Sequence, residues 1–386
     1  MTDDRGDHGE ADGPSPSPSS SPARRTLASP GRLLTGFAVA ALAGGVVGGL
    51  VVNATSDNTG PGRASTSGAG SPAVCQASAV ADTGLPSVVT IAARSSEHSG
   101  TGSGVIFEDG GYILTNDHVI SVAANGGHVT VLYSDGASAP ATIVGRDPLT
   151  DLAVIKASNG AEGLPVISLG SSADLVVGQP VVALGAPLGL SSTVTAGIVS
   201  ALDRYVPVPV DAGKTAHLVG AIQTDASINP GNSGGALVDC AARLVGVNTA
   251  IATVPNAAGH GGGGSVGLGF AIPVALAKPI ADEIIATGTV NHFTVGLQVQ
   301  AIPSAAAEAA GLPEGLFVES VTPGGPAEQA GIARGDVITA INADPAVSAE
   351  QLIVAEITVK SGQPIEVTYD RGGQSTTATL TPVPQT

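Results

Sequence analysis

The chain has 386 residues, 12% of them charged and 43% hydrophobic, which is material for two or three domains with sizeable cores. Its 54 glycines and 27 prolines disfavour long uninterrupted helices, exclude a coiled coil and point to loop-rich, mostly β architecture. A net charge of −17, aromatics at only 2% and no basic cluster to neutralise phosphates exclude nucleic acid as a partner.

Residues 1–32 carry the run Pro14-Ser15-Pro16-Ser17-Pro18 and almost nothing apolar, so a disordered cytoplasmic tail is expected. Residues 33–52 hold no charge, and as a helix they would span about 30 Å, the thickness of a bilayer's hydrocarbon core. Arg24, Arg25 and Arg32 precede this run, which predicts a single-pass cell-membrane helix with its N-terminus inside and everything after it outside. A cleaved signal peptide ending near Val52-Asn53-Ala54 is the competing reading. Residues 53–74 read as a flexible Gly/Ser/Pro spacer.

From 75 to 288 short Val/Ile/Leu/Ala/Thr runs alternate with turn residues, at 87–92, 102–107, 129–132, 153–156, 180–184, 193–200, 235–238 and 244–250. Many short strands at that spacing predict a barrel or sandwich. Apolar residues near helical spacing at 273–286 predict a helix that closes the unit. Residues 289–386 form a separate small α+β unit, with strands at 317–321, 337–341, 364–369 and 376–380 and helices near 327–330 and 349–356.

Chemistry converges first on Gly231-Asn232-Ser233-Gly234-Gly235, where a serine flanked by glycines can expose its Oγ in a tight turn. The same glycines let backbone N–H groups face a developing oxyanion. A bare serine is a poor nucleophile, so this reading needs a histidine to take its proton and a carboxylate to orient the histidine. His118 follows the strand-like run ending Leu114-Thr115-Asn116-Asp117, and Asp151 precedes Leu152-Ala153-Val154. The order His118, Asp151, Ser233 is that of chymotrypsin-type proteases. Asp117 is a rival orienter, but successive residues point apart, so a solvated role is expected for it.

The strings Gly102-Ser103-Gly104-Val105-Ile106, Thr115-Asn116-Asp117-His118-Val119, Gln223-Thr224-Asp225-Ala226, Asn229-Pro230-Gly231-Asn232-Ser233-Gly234-Gly235 and Gly267-Leu268-Gly269-Phe270 stand in register over most of 80–275. Through them the chain resembles the HtrA/Deg serine proteases, in the membrane-anchored form found in actinobacteria. The resemblance implies a chymotrypsin-like double β-barrel over 75–288, with Ser233 as nucleophile, His118 as general base and then acid, and Asp151 as orienter. It also implies an oxyanion hole at Gly231, Asn232 and Ser233, lent by the amides that flank Asn232. The second unit is similar to a PDZ domain: Thr294-Val295-Gly296-Leu297 would supply the peptide-binding loop, with Val295, Gly296 and Leu297 taking a C-terminal carboxylate. Over 290–386 ten acidic residues face three basic ones, so strongly acidic peptides should bind poorly.

The resemblance implies misfolded or exposed envelope proteins as substrates, chain ends recruited by the PDZ domain, no cofactor, and assembly as a homotrimer. Ser227 stands where the family usually has alanine, and nothing near it suggests a buried acid, so cleavage after small aliphatic residues is expected. Cys75 and Cys240 would both lie outside, where a disulfide between them persists. The scattered histidines share no metal-ligand spacing, so no metal is expected. An α/β-hydrolase elbow using Asp282 and His292 would need a helix directly after Ser233, whereas 236–250 alternates like strands. Gly262, Gly264 and Gly267 match a dinucleotide fingerprint only in letters; they read instead as an active-site loop. A chaperone-like binding module with an inactive protease core is the alternative function.

Overall fold

The structure, a computed structural model, describes residues 75–158, 163–187, 192–210, 215–251 and 267–385, without the side chains of 250 and 251. The expected tail, membrane helix and spacer, and most of the glycine-rich loop before Gly267, lie outside the described residues. Among the described residues no helix is long and apolar enough to cross a membrane.

After a short helix α1 (Ala77–Gly84) come β1 (Val88–Arg94), β2 (Ser99–Glu108), β3 (Tyr112–Thr115), the single turn α2 (Asp117–Ile120), β4 (His128–Leu132), β5 (Ser138–Asp147) and β6 (Leu152–Ala157). These strands close into a barrel in the order β1-β2-β3-β6-β5-β4. A second barrel, ordered β10-β11-β12-β9-β8-β7, is built from β7 (Pro180–Gly185), β8 (Thr193–Pro209), β9 (Thr215–Thr224), β10 (Ala236–Val238), β11 (Leu244–Ile251) and β12 (Gly269–Pro273).

Side chains alternate across a strand, and in the strands that border the seam both faces carry buried residues. Ile106 and Ile113 fill the first barrel while their neighbours Val105 and Leu114 point outward. In the second barrel Leu237 and Val245 point in, while Val238 and Leu244 point out. The outward sets meet in one cluster between the barrels, completed by Ala277, Ile280 and Ile284 of helix α3 (Val274–Thr287). The seam that carries the site is therefore as apolar as either interior. α3 is the expected closing helix, and it ends on Gly288 at φ 79°, the left-handed cap that glycine adopts without strain.

The last unit has a sheet ordered β14-β15-β16-β18-β19, from β14 (Leu297–Ala301), β15 (Leu316–Val321), β16 (Val337–Ile341), β18 (Ile365–Arg371) and β19 (Gln374–Leu380). The pairs β13 (Phe293–Thr294) with β20 (Val383–Pro384), and β17 (Asp344–Pro345) with β16, complete its strands. Its helices are α4 (Ser304–Ala310), α5 (Pro326–Gln329) and α6 (Glu350–Thr358). Cys75 and Cys240 are bridged, with Cα atoms 5.0 Å apart, which ties the start of α1 to the turn after β10.

Candidate active site

Each expected triad residue sits at the end of a strand that borders the seam. β3 delivers the turn α2, whose second residue is His118, and Asp151 stands directly before β6, the neighbour of β3 in the sheet. Asp151 adopts φ 57°, a left-handed conformation that a short polar side chain tolerates better than most. Its carbonyl accepts hydrogen bonds from the Asp117 amide at 3.2 Å and from Asn116 Nδ2 at 2.8 Å, which over-determine that turn.

The Asp151 side chain has no exposed surface. His118 Nδ1 lies 2.9 Å from both of its oxygens, the His118 amide donates to Oδ1 at 3.1 Å, and Thr249 Oγ1 donates to Oδ2 at 2.6 Å. A carboxylate surrounded by donors requires Nδ1 to carry the proton, so Nε2 of His118 presents its lone pair. Asp117 corrects the expectation of a solvated role: it is 3% exposed and held bidentate by Arg146, with Nε to Oδ1 at 2.6 Å and Nη2 to Oδ2 at 2.9 Å. Its side chain goes to Arg146 at the end of β5, while its amide goes to the Asp151 carbonyl. Burial pushes its carboxyl up, outweighing the pull of Arg146.

Ser233 follows Gly231, whose φ is 96°, and Asn232, which is 1% exposed. Asn232 donates its amide to the Asn229 carbonyl at 2.9 Å, so it shapes the turn rather than facing the cleft. Among the described residues the amides of Gly231 and Ser233, on either side of it, meet no acceptor. Two donors left open one residue apart are what a developing oxyanion needs. Ser233 Oγ donates to the Thr249 carbonyl at 2.9 Å, so Thr249 holds the aspartate with its side chain and the serine with its backbone.

The first barrel also grips this turn. The Ser103 amide donates to the Ser233 carbonyl at 2.8 Å, and Ser103 Oγ donates to the Gly231 carbonyl at 2.6 Å. Thr249 and Ser103 were not singled out from the sequence as functional residues. Each is a small polar residue in a strand that also carries core aliphatics, which is the signal that could have found them.

A Cβ on Gly231 would lie 2.6 Å from Pro187 Cβ, at a φ that side chains rarely adopt. Gly231→Ala is therefore expected to displace its own amide and lower kcat about 10²–10³-fold, the cost of losing one oxyanion donor. Gly136→Ala is the control: φ there is 87° but the added Cβ meets nothing within 4 Å, so kcat should stay unchanged in a casein assay.

In the second unit Val295 is buried, Gly296 has φ 75°, and β14, which starts at Leu297, is the outermost strand of its sheet. His292, in the connection between the units, reaches back to Asp147 Oδ1 with Nε2 at 2.7 Å. It thereby touches the loop that leads to Asp151, and it is committed to that contact rather than to Asp282.

Comparison with known proteins agrees with this geometry. Residues 102–247 match the family described as trypsin-like peptidase domain, and residues 294–381 match the PDZ domain family. The chain is 45% identical over 304 residues, 77% of its length, to the serine protease PepD of Mycobacterium tuberculosis, and spans 64% of that protein. It is 39% identical over 282 residues, 72% of its length, to a probable periplasmic serine endoprotease, DegP-like, of Rhizobium meliloti, and spans 52% of it. These curated relatives are thus longer proteins, of which the chain spans between half and two thirds. The solved structure of the HtrA-type protease AlgW with a decapeptide superposes with a TM-score of 0.64 at 33% identity, covering 80% of this chain and 99% of that one. Similarity of that depth over nearly all of a solved relative means that the chain belongs to the HtrA/Deg family of serine proteases, a trypsin-like peptidase domain followed by one PDZ domain.

Proposed function

We propose that the chain is a membrane-tethered serine endopeptidase that cleaves misfolded or exposed envelope proteins through an acyl-enzyme on Ser233. The observation that carries this reading is the buried Asp151 carboxylate, with both oxygens 2.9 Å from His118 Nδ1. In this mechanism the Ser233 hydroxyl turns from the Thr249 carbonyl to His118 Nε2, which takes its proton as Oγ attacks the scissile carbonyl. Asp151 stabilises the imidazolium without itself taking the proton, and the Gly231 and Ser233 amides receive the oxyanion. His118 then protonates the leaving amine. Water, deprotonated by His118, hydrolyses the ester and restores the serine.

The charge-free run 33–52 serves as the anchor, placing the protease over 75–288 and the PDZ domain over 289–386 outside the membrane. The Cys75–Cys240 bridge supports an oxidising compartment, and a periplasmic relative supports the same side. The PDZ domain recruits polypeptide segments along the open edge of β14 and delivers them to the protease.

For the primary specificity pocket, Ile228 is fully buried and packs where a Cβ on Gly269 would come within 2.9 Å of it, an apolar and narrow wall. Ser227 is exposed, and Asp225 spends Oδ1 on the Ile198 amide at 2.7 Å. Casein incubated with the full chain should therefore yield fragments whose new amino termini follow Val, Ala or Ile when sequenced by mass spectrometry. Dominant cleavage after Lys or Arg would overturn the pocket assignment, and the absence of fragments would overturn the endopeptidase reading.

A further inference from the structure

The peptide-binding loop of the PDZ domain is already occupied by the protein's own carboxylate. Glu356, on α6, accepts a hydrogen bond from the Val295 amide at 2.7 Å and one from Thr294 Oγ1 at 2.8 Å, both on Oε1. The next amide, of Gly296, donates to Thr294 Oγ1 at 3.0 Å. Of the three amides that would receive a ligand's terminal carboxylate, two are satisfied from within. The third, of Leu297, points outward: Gly296 gives its carbonyl to the Thr322 amide at 2.8 Å, and Leu297 faces Val321 as the pair between ladder hydrogen bonds.

We propose that Glu356 is the specificity-determining residue of this groove: it stands where a ligand's terminal carboxylate would, so the groove selects internal extended segments over chain ends. The inference rests on the reading of the PDZ domain as a recruiter of polypeptide and names the class recruited. The backbone edge of β14 remains open to pair with an added strand. An internal segment needs only that edge. A chain end brings a second carboxylate against Glu356, where like charges oppose each other. The ten acidic against three basic residues over 290–386 act in the same direction. Burial pushes the Glu356 carboxyl up, outweighing the downward pull of the bonds from Val295 and Thr294 that fasten it in the loop.

The test uses two pools of random decapeptides, identical except for a C-terminal carboxylate or a C-terminal amide. Each is equilibrated with the full chain carrying Ser233→Ala, and captured peptide is counted by mass spectrometry. Groove capture is defined as the part lost when Leu297→Pro removes the edge amide. The amide pool should be captured in excess, and Glu356→Gln should raise capture of the carboxylate pool about tenfold while leaving the amide pool within about twofold. A carboxylate pool already preferred by the chain with Glu356, and unmoved by Glu356→Gln, would overturn the role of Glu356 while recruitment stands. Capture of both pools that is indifferent to Leu297→Pro would overturn recruitment itself, and this inference with it.

Discussion

Asp151→Asn is expected to lower kcat on an unfolded protein about 10⁴-fold while leaving the fold intact, as judged by circular dichroism and an unchanged melting temperature. The reason lies in the donors around that carboxylate. His118 Nδ1, the His118 amide and Thr249 Oγ1 all point at it, and it is fully buried. An asparagine amide would present its own N–H to at least one of them. The least costly relief is for His118 to shift its proton to Nε2, which removes the lone pair that must take the serine proton. The loss should fall on kcat rather than KM, because the substrate does not touch Asp151.

Ser233→Ala carries the largest expected effect, a loss of about 10⁴–10⁶ in turnover. The serine hydroxyl supports nothing else: its one donated bond goes to the Thr249 carbonyl, and the turn around it is held by backbone bonds from Ser103 and Asn232. The variant should therefore fold and still bind unfolded chains. Release of casein fragments at the wild-type rate by Ser233→Ala would remove the serine from the mechanism.

Strands of the two barrels were legible where Val, Ile, Leu, Ala and Thr cluster between turn residues, and several of these are dry on both faces. β2, β6 and β11 carry adjacent buried aliphatics, such as Val105-Ile106, Leu152-Ala153-Val154-Ile155 and Leu244-Val245, because alternate residues enter a barrel and the seam beside it. β5, β9 and β12 were not singled out. β5 includes Pro140 and Gly145 with much of its surface exposed, β9 carries Gly220 at φ 63°, and β12 is five residues beside a glycine-rich loop. What makes them strands is pairing with neighbours far along the chain, as β12 pairs with β9 and β11, and no local pattern records that. The helix α1 was missed for a related reason: it is short, lacks a side-chain cap and is held by packing Val80 into the seam.

In the site, His118, Asp151 and Ser233 were legible because their chemistry demands one another in a known order. Their supports were not. Thr249 lies 98 residues from Asp151, and Ser103 lies 128 from Gly231, so only the closed barrels bring them together. Asp117 was expected in solvent because its partner Arg146, 29 residues away, is placed by the β5–β6 pairing. The helix holding Glu356 was expected, but that its carboxylate fills the 294–297 loop follows from how α6 packs on that loop.

Labelling with a fluorophosphonate followed by peptide mapping tests most directly whether Ser233 is an activated nucleophile. A single adduct is expected, on the peptide that contains Ser233, strongly slowed in Asp151→Asn and absent in Ser233→Ala. An adduct on another serine, or none on a chain that nonetheless cleaves casein, would contradict it.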